Sequence, residues 1–262
     1  MSTLAGLGEE AQRIFTASDQ AKITLKLLGG VAISFRCPSS KREGLKRKYL
    51  DLDFIGHEKQ SHAIKKLFVD LGYEPRERFN AMHGAKRLIF NDMTNYRRVD
   101  IFLDVFEMCH KFDFRKRADL EAHTLPLADL LATKLQIVHI NEKDFRDMVS
   151  LFLDHEIGDG DGDLINGRYL ADLCSNDWGI YKTFTMNLAK FREVAKDFQL
   201  DQAQMDRVNA QALKLAGMIE AKPKSMRWKM RARVGESVQW YDLPEADKPV
   251  VADTDSQPDV KM

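Results

Sequence analysis

Between residues 58 and 72 the apolar residues Ile64, Leu67, Phe68 and Leu71 recur at i, i+3, i+4 and i+7, the period of an amphipathic helix, and Gly72 is placed to cap its C-terminus. On either side the period changes to two. Residues 49–55, 87–90 and 97–108 therefore read as strands. In the first, Leu50, Leu52 and Phe54 share one face and Asp51 and Asp53 the other. In the third, Val99, Ile101, Leu103 and Val105 oppose Asp100, Phe102, Asp104 and Phe106. Beyond Pro126, a favourable residue at a helix start, the period is helical over 127–138, 141–155, 168–174, 178–194 and 202–219. Trp178, Tyr181, Phe184, Leu188, Phe191 and Ala195 have the spacing of a buried helix face. An α+β fold is expected, a mixed sheet with flanking helices followed by an all-α C-terminal region. The expected division is an α/β domain over 1–122, a helical domain over 123–221, and a basic segment with a disordered acidic tail over 222–262.

The 262 residues are 44% hydrophobic and 31% charged, enough apolar content for a buried core. No apolar run approaches the roughly 20 residues of a spanning helix, and the first ten residues lack a signal-peptide pattern, so a cytoplasmic protein without membrane contact is expected. Cys37, Cys109 and Cys174 match no metal or disulfide spacing and read as reduced core thiols. The 40 Lys and Arg balance 40 Asp and Glu, which argues against a nucleic-acid binder that relies on overall positive charge. The balance is a sum of opposed local charges. Arg36, Lys41, Arg42, Lys46, Arg47 and Lys48 stand against Glu43 alone; six basic residues between 222 and 233 meet no acid; and from Asp242 onward six acids face two lysines and several prolines.

Aspartate is a poor strand former, so four of them on two otherwise apolar strands need a reason. They are either solvated at the face of a half-exposed sheet or gathered as hard oxygen ligands for a divalent cation. Upstream, a short apolar strand ends in Gly29-Gly30 and leads into a helix, a place where backbone N–H groups can approach a phosphate, although a Gly-Gly pair alone is often only a turn. Downstream, Leu127, Leu130, Leu131, Leu135 and Val138 mark a buried stripe that also contains Lys134. A buried lysine requires an anion, and Asp144, inward on the next helix with Met148 and Phe152, is the expected partner, with Asp147 placed further round. The pair fits either a phosphate grip or an interdomain salt bridge. Other features read as structural: His110 as a packing or capping residue, and Asp159-Gly-Asp161-Gly-Asp163 as a polar hinge, because Leu164 and Leu170 occupy positions where a calcium loop has Gly and Glu. The basic segment with Trp228 suits either RNA or a solvated face.

Strand, Gly29-Gly30, helix, basic loop, Asp51-x-Asp53 strand, helix, then a strand bearing Asp100 resembles the nucleotidyltransferase (DNA polymerase β-like) superfamily over roughly 26–155. The stretch Thr124-Leu-Pro-Leu-Ala-Asp-Leu-Leu-Ala-Thr-Lys134-Leu135, followed by Glu142-Lys-Asp144-Phe-Arg-Asp147, resembles the AbiEii-type branch, whose members include toxins of toxin–antitoxin systems. The interval from Gly30 to Asp51 is longer than in compact members. The resemblance implies transfer of a nucleoside monophosphate from an NTP to an acceptor hydroxyl, on an RNA or tRNA end, a small molecule or a protein. It implies two Mg²⁺ ions on Asp51, Asp53 and Asp100, phosphate held by Gly29, Gly30 and Lys134, a catalytic set of those three acids with Lys134 and Asp144, and an antitoxin protein among the candidate partners. Asp104 lies four residues, roughly 13 Å, from Asp100 along an extended strand, so only one of them can join the same site, and the family pattern selects Asp100. A non-catalytic nucleotide-binding module, or an antitoxin or scaffold, is the alternative.

Overall fold

The structure is a computed structural model and describes residues 3–243. The tail expected to be disordered lies, from 244 on, outside the described residues. The N-terminal half contains α1 (Leu7–Gln20), β1 (Leu25–Leu28), α2 (Gly29–Arg36), β2 (Asp51–Gly56), α3 (Ser61–Asp70), β3 (Glu74–Pro75), α4 (Glu77–His83), β4 (Arg87–Asp92) and β5 (Arg97–Leu103), then a small hairpin of β6 (Val105–Glu107) and β7 (Lys111–Asp113). The remainder is mainly helical: α5 (Leu127–Leu135), α6 (Glu142–Asp154), short strands β8 (Glu156–Gly158) and β9 (Leu164–Asn166), α7 (Gly167–Asn176), α8 (Trp178–Val194), α9 (Gln202–Ala221) and α10 (Met226–Val234). The fold is thus α+β, a mixed sheet with flanking helices followed by helices, as the periodicities imply.

The main sheet has the order β1-β2-β5-β4-β3. β2 and β5 run parallel, while β1 with β2, β5 with β4 and β4 with β3 are antiparallel. One face, carrying Leu52, Phe54, Leu88, Phe90, Val99 and Ile101, is fully buried. α1 and α3 cover it through Phe15 against Phe54 (6.2 Å between ring centroids) and Phe68 against Phe90 (5.0 Å). The other face carries the aspartates. α2 runs from the end of β1 and packs on α5 and α6, tying that face to the helical half. Buried apolar residues from α1 through α9 form one cluster. Helix starts are fixed by side chains that satisfy free N–H groups: Asn141 for α6, Asp177 for α8, and Asp201 with Gln204 as a capping box for α9.

Several boundaries differ from the sequence reading. β2 begins at Asp51, leaving Leu50 64% exposed outside the strand. The strand expected over 97–108 breaks at Asp104, whose φ of +60° turns the chain, so Val105 leaves the apolar face and opens the hairpin. Aspartate is among the few residues that tolerate this conformation, because its side chain can bond locally. The Asp104 carboxylate lies 3.0 Å from His57 Nδ1 and its N–H donates to Gly56 O. α5 ends at Leu135, short of Val138, and is buried on all sides, with Asp129 and Thr133 enclosed beside its leucines. α1, α4 and α10 had no prior expectation.

Candidate active site

The parallel pairing of β2 and β5 places Asp53 directly opposite Asp100 and Asp51 opposite Arg98. On the other side of β2, Leu28 faces Asp53, so the residue after β1, Gly29, arrives against its carboxylate. Gly29 has φ +71°, and a Cβ there would stand 2.6 Å from Asp53 Oδ2. Glycine is required twice, for the left-handed backbone and for the space. α2 starts at Gly29, so unpaired helix N–H groups open beside the acids. Gly30 has a different reason: a Cβ would overlap the Arg47 guanidinium, which packs across the turn.

Lys134, buried on α5, meets two carboxylates of α6, Asp144 at 3.0 Å and Asp147 at 2.8 Å. Asp147 is inward as well as Asp144, a correction to its expected place further round the helix; at i and i+3 the two share one face. Asp147 also receives a two-pronged contact from Arg47, Nε at 2.9 Å and Nη2 at 2.8 Å, and the guanidinium stacks on Tyr49, 4.2 Å from the ring centroid. The basic loop between Gly30 and β2 therefore folds back and delivers a cation to the turn. Burial acts against the Lys134 ammonium, but Asp147 and Asp144 hold it above the usual lysine range. Burial likewise opposes ionisation of Asp147, and Lys134 and Arg47 overcome it, holding that carboxyl below the usual range.

Asp53 is the opposite case. Burial first, then the charges of Asp51 and Asp100, push its carboxyl well above the usual carboxylate range, with Lys134 and Arg98 offsetting part of the effect. Asp100 is 1% exposed: Arg87 reaches its Oδ1 (Nη2 at 2.7 Å, Nε at 2.8 Å), and Arg98 Nε lies 2.7 Å from its Oδ2. Burial raises the Asp100 carboxyl against the pull of these two arginines. A divalent cation suits the donor set, which is oxygen only, and would relieve the like charges at Asp53. Asp100 Oδ2 is buried 2.7 Å from Arg98 Nε, so both of its oxygens are engaged by arginines. In the arrangement described, however, Asp100 faces its arginines, and among the described residues no group of three His, Cys, Asp or Glu is gathered to hold a metal.

No family model and no curated protein matches the chain. Among solved structures it is similar to the lincosamide antibiotic adenylyltransferase LnuA in its lincomycin-bound form, with 15% identity, a TM-score of 0.40, and coverage of 58% of this chain and 98% of that one. It is also similar to the antibiotic-resistance factor ANT(2'')-Ia, with 12% identity, a TM-score of 0.34, and coverage of 85% and 89%. With both scores below 0.5, neither likeness assigns an activity or a substrate, and the chemistry of the site is read from its own residues.

Of the residues singled out in the sequence, Gly29, Asp51, Asp53 and Asp100 meet at one end of β2 and β5, while Lys134 and Asp144 reach that region from the helical half. Asp104 sits with His57 at the far end of the strands. His110 is buried, 2.8 Å from Thr183 Oγ1, in a packing role, and burial lowers its imidazole. Asp161 is clasped by Arg117, at 2.7 and 2.9 Å. The three cysteines are free and buried. Arg47, Arg87, Arg98 and Asp147 were not singled out. For Arg47 the signal was the basic loop itself; for Arg98 it was the position two before Asp100 on the same strand face.

Proposed function

We propose that this chain is a nucleotidyltransferase that moves a nucleoside monophosphate from an NTP to an acceptor hydroxyl. The observation that supports the reading is the packing of the Gly29 turn, at the start of α2, on Asp53, with Asp100 in register beside it: a helix N-terminus brought against paired carboxylates. Asp51 and Asp53 would hold a divalent cation, Mg²⁺ being the expected ion, which would neutralise the triphosphate charge and polarise it for attack. The α2 N–H groups, Arg47 and Lys134 bind phosphate oxygens and keep the triphosphate in line. Asp144 and Asp147 hold those two cations in place. Asp100 accepts the proton of the acceptor hydroxyl as its oxygen bonds to the α-phosphorus and the bond to the pyrophosphate breaks.

Acceptor classes to compare are an RNA end, to which the AbiEii resemblance and a toxin role with an antitoxin partner belong, a hydroxylated small molecule, and protein. Calorimetry of Mg–ATP binding tests the site. The intact chain is expected to bind, and Asp53→Asn and Lys134→Met to bind at least tenfold more weakly while keeping the far-UV circular dichroism of the parent. A chain that binds no NTP would instead support a non-catalytic module.

A further inference from the structure

α10 has no buried residue. Met226, Met230 and Val234, spaced at i, i+4 and i+8, form one row along it and are 74%, 60% and 45% exposed. Arg227 stands on one flank of the row, Lys229 and Arg233 on the other. The other basic residues of the segment are committed: Lys222 to Asp172, Lys224 to the carbonyls of Ile219 and Lys222, and Arg231 to the carbonyls of Gly235 and Val238 at 2.7 Å each. Among the described residues the side chains of Arg227, Lys229 and Arg233 have no ion pair or hydrogen bond, and no acid lies between 222 and 235 to offset them. Free cations around an exposed apolar row suit an occupant that offers both acids and apolar side chains.

Beyond α10 the chain turns back on it. Trp240 Nε1 donates to Thr183 Oγ1 of α8 (3.1 Å) and the Asp242 N–H to the Cys109 carbonyl (3.0 Å), so Trp240, Tyr241 and Asp242 line a cavity of about 360 Å³ together with Arg227, Trp228 and Arg231 of α10. We propose that the acidic segment 244–262 covers the exposed row of α10, with Val250 and Val251 against Met226 and Met230, and the acids on Arg227, Lys229 and Arg233. Val250-Val251 is preceded by Glu245 and Asp247 and followed by Asp253 and Asp255, against Lys248 alone, a pattern complementary to α10 in both charge and apolar content. The seven residues from 243 to 250 span up to ~25 Å extended and α10 is ~14 Å long, so the valines can reach any part of the row. Other cation groups fit less well. At the candidate active site Arg47, Lys134, Arg87 and Arg98 are already held by Asp147, Asp144 and Asp100. The loop over 41–48 contains Glu43, and its Leu45 is buried, so it offers no apolar row. The inference is independent of the nucleotidyl-transfer reading; its consequence is that RNA or another polyanion must displace 244–262 to reach α10.

The test uses the full chain at low salt and a water-soluble carbodiimide, which joins a lysine to a carboxylate in direct contact. Peptide mass spectrometry is expected to find Lys229 joined to Glu245, Asp247, Asp253 or Asp255 about tenfold more often than Lys111, which lines the same cavity as Asp242, or Lys48, in the other basic cluster. Salt at about 0.5 M should reduce the Lys229 product severalfold, because exposed charges are screened. A Lys229 product no more frequent than those of Lys111 and Lys48 overturns the inference. In a mixture of ¹⁵N-labelled and unlabelled chains the product is expected within one chain; products that join the two labels would place a second copy on α10 and overturn the intramolecular contact. A measurement that needs no lysine follows the methionine methyl signals. Those of Met226 and Met230 are expected to move when Val250→Ser and Val251→Ser are combined, while that of Met148, in the core, stays in place and reports an intact fold. Unmoved Met226 and Met230 signals would show that the valines do not meet α10.

Discussion

At Asp53 a carboxylate is kept where an uncharged side chain would be more stable. Its folded-state carboxyl is raised by burial and by Asp51 and Asp100, so the native protein holds a proton that the unfolded chain has already released. As pH rises from the ordinary aspartate range near ~3.9 towards the raised value, the native state loses stability, and above that value the whole loss persists. Asp53→Asn should therefore melt higher than the parent at neutral pH, by about 2–4 °C per kcal/mol relieved, and the difference should shrink as pH falls below the window. Thermal melts at several pH values check this, and equal melting temperatures throughout would remove the stored repulsion. Gly29→Ala should lower stability by about 1–3 kcal/mol, because alanine is strained at that φ and its Cβ presses on Asp53. Its Mg–ATP affinity should fall with it. Asp51, Asp53 and Asp100 were legible in the sequence because acids break the pattern of an apolar strand. Arg87 was not, because a half-exposed arginine at a strand start breaks no pattern.

At the scale of elements, the site depends on α5 and α6 being held against α2. Lys134 is enclosed with Asp144 and Asp147, and Arg47 closes the network from the basic loop. Removing the ammonium leaves two carboxylates facing each other with one guanidinium, and breaking a buried pair costs about 3–5 kcal/mol. Lys134→Met should lose stability on that scale in urea unfolding, whereas Lys190→Met, on the rim of α8 with no ion pair of its own among the described residues, should change it by about 0.5 kcal/mol or less. The 3.6-residue period located α3, α6, α8 and α9 because each has a buried stripe and a solvated side. It gave a poorer end for α5, which is buried all round, and no expectation for α10, which has no buried residue and follows a basic pattern rather than an apolar one. The break at Asp104 escaped because the alternation continues through it: a single left-handed residue changes the direction of the chain without changing the pattern of side chains.

For the whole molecule, the apolar residues on both sides of residue 122 belong to one buried cluster, and α2 packs on the sheet and on α5 and α6. A single calorimetric unfolding transition is expected, with the division at 1–122 and 123–221 one of sequence pattern; two separate transitions would show that the halves unfold independently. Among the described residues no helix is long and apolar enough to cross a membrane. With a net charge of zero, the proposed nucleotide recognition would rest on local cations, Arg47 and Lys134, and on the α2 N–H groups. The most direct measurement is incubation of the intact chain and Mg²⁺ with ATP labelled at either the α- or the γ-phosphate, in the presence of RNA, small-molecule and protein acceptor pools. Nucleotidyl transfer requires label from the α-phosphate alone to reach an acceptor, and none in Asp53→Asn. Label from the γ-phosphate, or no transfer to any pool, would contradict it.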